Sequence, residues 1–80
     1  MITATESIIN FLSTDTLTME EYYEECYNND KLPNYSEFCR RFLNGTTIDG
    51  YSFRDINVKR GEVTSFIRNQ YSLWLEEKVR

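Results

Sequence analysis

The apolar residues near the C-terminus of this chain repeat with the period of an α-helix, and no other feature constrains the fold as strongly. Between residues 60 and 78 they follow one another at intervals of three or four, which predicts an amphipathic helix. At 1.5 Å per residue this helix is about 28 Å long, so we expect shorter helices to pack against it. Its apolar stripe consists of Val63, Phe66, Ile67, Tyr71 and Trp74, with Leu73 and Leu75 at the flanks.

Three shorter helices are predicted upstream, each from a capping side chain followed three positions later by Glu. A break ending at Pro33 separates the second helix from the third, because proline disfavours helix at the residue before it. The capping residues and spans are Thr3 with 4–13, Thr18 with about 19–29, and Asn34 with about 35–43. The expected inward residues are Ile8, Ile9 and Leu12; then Met19, Tyr22, Tyr23, Cys26 and Tyr27; then Tyr35, Phe38, Cys39, Phe42 and Leu43.

Residues 46–53 leave two local structures open. Asp49-Gly50 between two apolar stretches is a hairpin signal, and the same dipeptide is compatible with a short helix over 52–56. The chain is predicted to be one mainly α domain over residues 1–80, because 80 residues suffice for one domain and not for two. The expected architecture is a compact bundle of about four helices with the longest at the C-terminus, and a small hairpin near 46–53.

The charge is distributed unevenly along the chain. The net charge of −4 combines a first part, residues 1–30, with seven acids and no base, and a second part, residues 31–80, with nine bases and six acids. The two parts therefore carry −7 and +3. Asymmetry of this kind points to partners more than to fold.

The composition supplies few groups for catalysis. There is no His, and the two cysteines, Cys26 and Cys39, cannot by themselves make a four-ligand zinc site. We therefore expect no enzyme activity, metal or cofactor. Buried free thiols are the favoured state of the cysteines, with a disulfide between them as the alternative. No apolar stretch is long enough to cross a membrane and the N-terminus lacks a basic segment, so a cytoplasmic protein is expected.

Four glutamates occupy the side of the second helix opposite its apolar stripe: Glu20, Glu21, Glu24 and Glu25. One interpretation is a solvated face whose first-turn acids complement the helix dipole, which explains Glu20 and Glu21 only. The pairs Glu20–Glu24 and Glu21–Glu25 are each destabilising by about 0.2–0.5 kcal/mol. The other interpretation is an acidic surface that docks on a basic partner. Its predicted contact residues are the four glutamates with Tyr23, Tyr27 and Asp30.

In size and composition the chain looks like the short acidic inhibitors that bacteriophages use against host nucleic-acid machinery such as restriction, CRISPR or transcription enzymes. This resemblance implies a non-catalytic inhibitor in the host cytoplasm. Its partner would be a protein with a basic surface, part of a nucleic-acid-processing complex.

A second resemblance covers residues 52–68, which are similar to the helix-turn-helix motif of bacterial and phage regulators. The matching positions are Ile56, Asn57, Val58, Val63 and Phe66, and Phe53 stands where the family has a small residue. The resemblance implies a DNA-binding regulator, expected to be a dimer, whose contacts are Lys59, Arg60, Thr64, Ser65 and Arg68. Residues 54–68 carry a net charge of only +2. The competing interpretation is that the apolar positions are simply the core stripe of the last helix.

Overall fold

Four α-helices and one short hairpin make up the part of the chain that the computed structural model describes, residues 3–52 and 58–79. The mainly α architecture, with the longest helix at the C-terminus and a small antiparallel hairpin, confirms the predicted fold class. In chain order the elements are α1 (Ala4–Thr14), α2 (Thr16–Asn28), α3 (Tyr35–Phe38) with a π-helical turn (Cys39–Leu43), β1 (Thr47–Ile48), β2 (Tyr51–Ser52) and α4 (Arg60–Lys78).

The capping signals place two of the helix starts where they were predicted. The Thr3 hydroxyl accepts a hydrogen bond from the Glu6 backbone N–H at 3.1 Å, and the Asn34 amide oxygen accepts one from the Glu37 N–H at 2.8 Å. Each bond satisfies an N–H group that has no partner inside the helix. The bounds of α4 agree with the predicted span of 60–78.

Helix α2 begins three residues earlier than predicted, because its cap is Asp15 and not Thr18. One Asp15 carboxylate oxygen accepts from the Thr18 N–H at 3.2 Å, and the other accepts from the Thr18 hydroxyl at 3.0 Å. The Asp15 N–H in turn donates to the Phe11 carbonyl at 2.8 Å. Asp15 is therefore both the C-cap of α1 and the N-cap of α2.

We predict that Asp15→Ala lowers the free energy of unfolding by about 1 kcal/mol, the usual effect of losing an N-cap. For a domain of this size the melting temperature should fall by roughly 4–8 °C, measured by far-UV circular dichroism. The matched control is Asp15→Asn, which keeps a side-chain acceptor and should retain most of the stability. Equal losses in the two variants would contradict the capping role.

The third helix changes type partway along its predicted span of 35–43. It is α-helical over Tyr35–Phe38 and then widens into the π-helical turn, Cys39–Leu43. Gly45, at φ +85°, follows the turn, and the Thr46 N–H donates to the Leu43 carbonyl at 2.9 Å. The capping and stop signals fixed the ends correctly, but they carry no information on the hydrogen-bonding pattern between them.

Residues 47–52 form the hairpin. Ile48 pairs with Tyr51, and the two turn residues Asp49 and Gly50 both have positive φ, at +50° and +81°. This combination of conformations is the one that joins two twisted strands tightly, and it explains the Asp-Gly signal. The alternative helix over 52–56 cannot include Ser52, which lies in β2, and its other residues are outside the described part of the chain.

Helix α4 lies at the centre of the core and packs against α1 and α3. One connected cluster of buried residues joins the helices and the first strand, including Ile8, Tyr22, Phe38, Ile48 and Ile67. The molecule measures 39 × 22 × 21 Å. In the described ranges, no helix has both the length and the apolar character needed to cross a membrane.

Candidate protein-docking surface

Helix α2 presents two opposite sides. Its apolar stripe is buried in the core at Met19, Tyr22, Tyr23 and Cys26. Three glutamates on the other side are exposed to solvent, and we call them the acidic face: Glu20, Glu21 and Glu24.

The helix dipole does not account for the acidic face. Because α2 begins at Thr16, its first turn ends at Met19 and contains no acid. Glu20 and Glu21 therefore lie beyond the turn in which a negative charge is stabilised by the helix N-terminus. The sequence allowed Glu20 and Glu21 to be explained as first-turn acids that complement the helix dipole. The observed start of the helix rules this explanation out.

The fourth glutamate is used inside the fold. Glu25 forms an ion pair with Arg41, with 2.6 Å between Arg41 Nη2 and Glu25 Oε1. This contact joins α2 to the π-helical turn and partly shields both side chains. Glu25 lies in the last turn of α2, where the helix dipole disfavours a negative charge. The positive charge of Arg41 offsets this unfavourable interaction.

No corresponding partner lies beside the acidic face. Over residues 3–52 and 58–79, none of its three carboxylates is within ion-pair distance of a Lys or Arg. Lys31, the first cation after α2, hydrogen-bonds to Glu37 and lowers the pKa of that carboxyl. The acidic face is thus left with its charge uncompensated within the described structure.

The remaining predicted contact residues lie in different environments. Tyr23 is only 3% exposed and its hydroxyl donates to the Ile67 carbonyl at 3.0 Å, so it belongs to the core and is not available at the surface. Tyr27 is 52% exposed, with its ring set edge-on against Trp74. Asp30 is exposed just after α2 and has a positive φ of 57°.

A groove that sequence reasoning missed begins at the acidic face. It has a volume of about 250 Å³ and is lined by the end of α1, the first half of α2 and the second half of α4. Glu20 lines it from α2, and Trp74 and Glu77 line it from α4. These helices are distant in sequence, and the position of Leu73 at the flank of the α4 stripe did not by itself predict a groove.

The residues of the DNA-binding alternative are placed only in part. Lys59, Arg60, Ser65 and Arg68 are exposed, whereas Thr64 is half-buried. The helix that would precede the turn falls on residues 53–57, which lie outside the described residues. The DNA-binding reading therefore stays a prediction.

The two cysteines are free thiols and are not joined to each other. Burial raises the pKa of both Cys26 and Cys39, which keeps them protonated at neutral pH. Protonated thiols are weak nucleophiles. In the described part of the chain, no three potential metal-ligating side chains come together.

No protein-family model, no curated protein and no solved structure matches this chain.

Proposed function

We propose that this chain is a non-catalytic binding protein that docks through its acidic face on a basic surface of another protein. The observation that carries the proposal is the position of three exposed glutamates on α2 without an ion partner in the described structure. Asp15 has a structural role as a helix cap, and Glu25 has one as the ion-pair partner of Arg41. Glu20, Glu21 and Glu24 have no such role among the described residues.

The acidic face also works against the stability of its own helix. Glu20 and Glu24 are one turn apart, and like charges at this spacing destabilise a helix by about 0.2–0.5 kcal/mol. A lysine at either position would turn the repulsion into an attraction. A charge arrangement that the fold does not need, and that slightly weakens it, is best explained by a partner.

The density of charge suggests what kind of basic surface is involved. Glu20 and Glu24 are separated by about 6 Å along the helix with Glu21 between them, so the mean spacing of the three charges along the axis is about 3 Å. Along one strand of duplex DNA the charges are about 3.4 Å apart. The acidic face thus resembles a short segment of nucleic-acid backbone, and a protein surface that binds phosphates would accept it.

Occupying such a surface would exclude nucleic acid from it, so the expected consequence of docking is inhibition. The chain resembles short acidic phage inhibitors in size and composition. We infer that it acts, as they do, against host defence or other host nucleic-acid machinery.

The test uses a charge reversal that changes neither the core side chains nor Glu25 and Arg41. The double variant Glu21→Lys/Glu24→Lys is immobilised beside the natural chain, and proteins from a host lysate are bound at low salt and eluted in salt steps. We expect the natural chain to retain nucleic-acid-binding proteins, and the variant to retain at least about tenfold less, because facing like charges cost several kcal/mol. The eluted partner, once purified, should lose its nucleic acid when the natural chain is added.

The matched control is Glu62→Lys/Glu76→Lys, which makes the same change in net charge at two exposed sites on α4. It should retain the same proteins as the natural chain. If both double variants lost binding equally, only net charge would matter and the acidic face would have no special role. If neither lost binding, docking through this face would be refuted.

A further inference from the structure

The groove beside the acidic face has the size of a single side chain. Its volume of about 250 Å³ is below the roughly 300–1,000 Å³ of pockets that hold small-molecule ligands. Its apolar lining comes from α1, α2 and α4 and includes Leu12, Met19, Leu73 and Trp74. Leu73 is 55% exposed, which leaves apolar surface open to an entering group.

The charges that line the groove are all negative. Glu20 on α2 and Glu77 on α4 both contribute to its wall, and no Lys or Arg does so among the residues described. Lys78 does not line the groove, although its ammonium lies 5.5 Å from the centre of the Trp74 ring. An apolar groove with carboxylates from two helices suits a long side chain, because the aliphatic stem can lie on the apolar lining while the cationic end meets the carboxylates.

A second and independent feature points to an occupant. Trp74 is only 8% exposed, yet its buried indole N–H has no hydrogen-bond acceptor within the described ranges. A buried tryptophan N–H normally has a partner, because leaving it without one costs free energy. A bound peptide segment would bring backbone carbonyl groups that can accept this bond.

We propose that the groove binds the side chain of an arginine carried by a basic segment of the partner protein. The stem of the arginine lies against Met19 and Leu73, its guanidinium group pairs with Glu20 and Glu77, and a carbonyl of the same segment accepts from the Trp74 N–H. Arginine suits this site better than lysine, because its planar group has five donors and can serve two carboxylates at once. The inference rests on the proposed docking function and names the feature of the partner that the surface recognises.

The test is a titration of the ¹⁵N-labelled chain, residues 1–80, with a capped hexa-arginine peptide, and with capped hexa-lysine for comparison. Trp74 is the one tryptophan in the sequence, so its indole N–H gives a single resolved signal. We expect this signal to move and saturate with hexa-arginine, and to saturate at a higher concentration with hexa-lysine. Glu77→Gln should weaken binding of hexa-arginine about fivefold, the effect of losing one ion pair.

The matched control is Glu76→Gln, which removes the same charge from the neighbouring exposed position outside the groove. It should change the affinity less than about twofold, and both variants should keep the melting temperature of the natural chain. If the signals of Glu21 and Glu24 moved while the indole signal did not, the groove would be rejected and docking through the acidic face would stand. If none of these signals moved, both proposals would be rejected. Equal affinity for the two peptides, or equal losses in the two variants, would overturn the assignment of an arginine site.

Discussion

Replacing Phe38 by alanine is expected to remove a large part of the stability of this fold. Phe38 is completely buried, and its ring lies 5.1 Å from that of Tyr22 and 5.8 Å from that of Phe42. Truncating a buried Phe to Ala costs about 3–5 kcal/mol, because the transfer free energy is lost and a cavity remains. A chain of 80 residues has a total stability of only about 4–12 kcal/mol.

The measurement is urea unfolding followed by far-UV circular dichroism, with the natural chain and Leu32→Ala run in parallel. Leu32 is 70% exposed and precedes α3, so its truncation should change the free energy of unfolding by less than about 0.5 kcal/mol. Similar losses at the two sites would show that the aromatic cluster around Phe38 is not what holds α2 and α3 together.

The second large effect is expected at Tyr22, whose hydroxyl holds the start of α3. It donates to the Asn34 carbonyl at 3.0 Å and accepts from the Asn34 N–H at 2.7 Å. Burial raises the pKa of Tyr22, so the hydroxyl keeps its proton at neutral pH. Tyr22→Phe removes both bonds. The Asn34 carbonyl still accepts from the Phe38 N–H at 3.1 Å, but the Asn34 N–H loses its partner, which should cost about 1–3 kcal/mol.

Tyr23→Phe is the matched control for Tyr22→Phe. The Tyr23 hydroxyl makes one bond, to the Ile67 carbonyl, and that carbonyl lies inside α4, where the helix supplies another donor. Its loss should cost about 0.5–1.5 kcal/mol, clearly less than the loss at Tyr22. Hydrogen exchange at the Asn34 amide gives a second readout, since only Tyr22→Phe should accelerate it. A larger loss at Tyr23 than at Tyr22 would contradict this account.

Local signals in the sequence determined much of the fold. The caps at Thr3 and Asn34, the span of α4 and the Asp49-Gly50 turn depend on contacts within about four residues, and such contacts can be inferred from spacing alone. The start of α2 was misplaced because Thr18 is followed three positions later by Glu21, as the capping pattern requires, whereas Asp15, the actual cap, is followed there by Thr18. Only the observed bonds show that Thr18 is the donor and Asp15 the acceptor.

The candidate site depended on contacts that spacing cannot predict. The Glu25–Arg41 pair and the bond from Tyr23 to Ile67 join residues far apart in the chain. Because of these contacts, Glu25 and Tyr23 do not belong to the exposed docking surface that the sequence predicted. The groove depends in the same way on the approach of α2 to α4.

On helix α2 the glutamates of the acidic face and the side chains that fill the core are different residues, and only Met19 belongs both to the core and to the proposed arginine contacts. The three exposed glutamates make no ion pair with any described residue. Substitutions at well-separated positions without shared partners have nearly additive effects. A library randomised at Glu20, Glu21 and Glu24 should therefore consist mostly of folded proteins, and the choice of target could diverge over evolution while the scaffold stays the same.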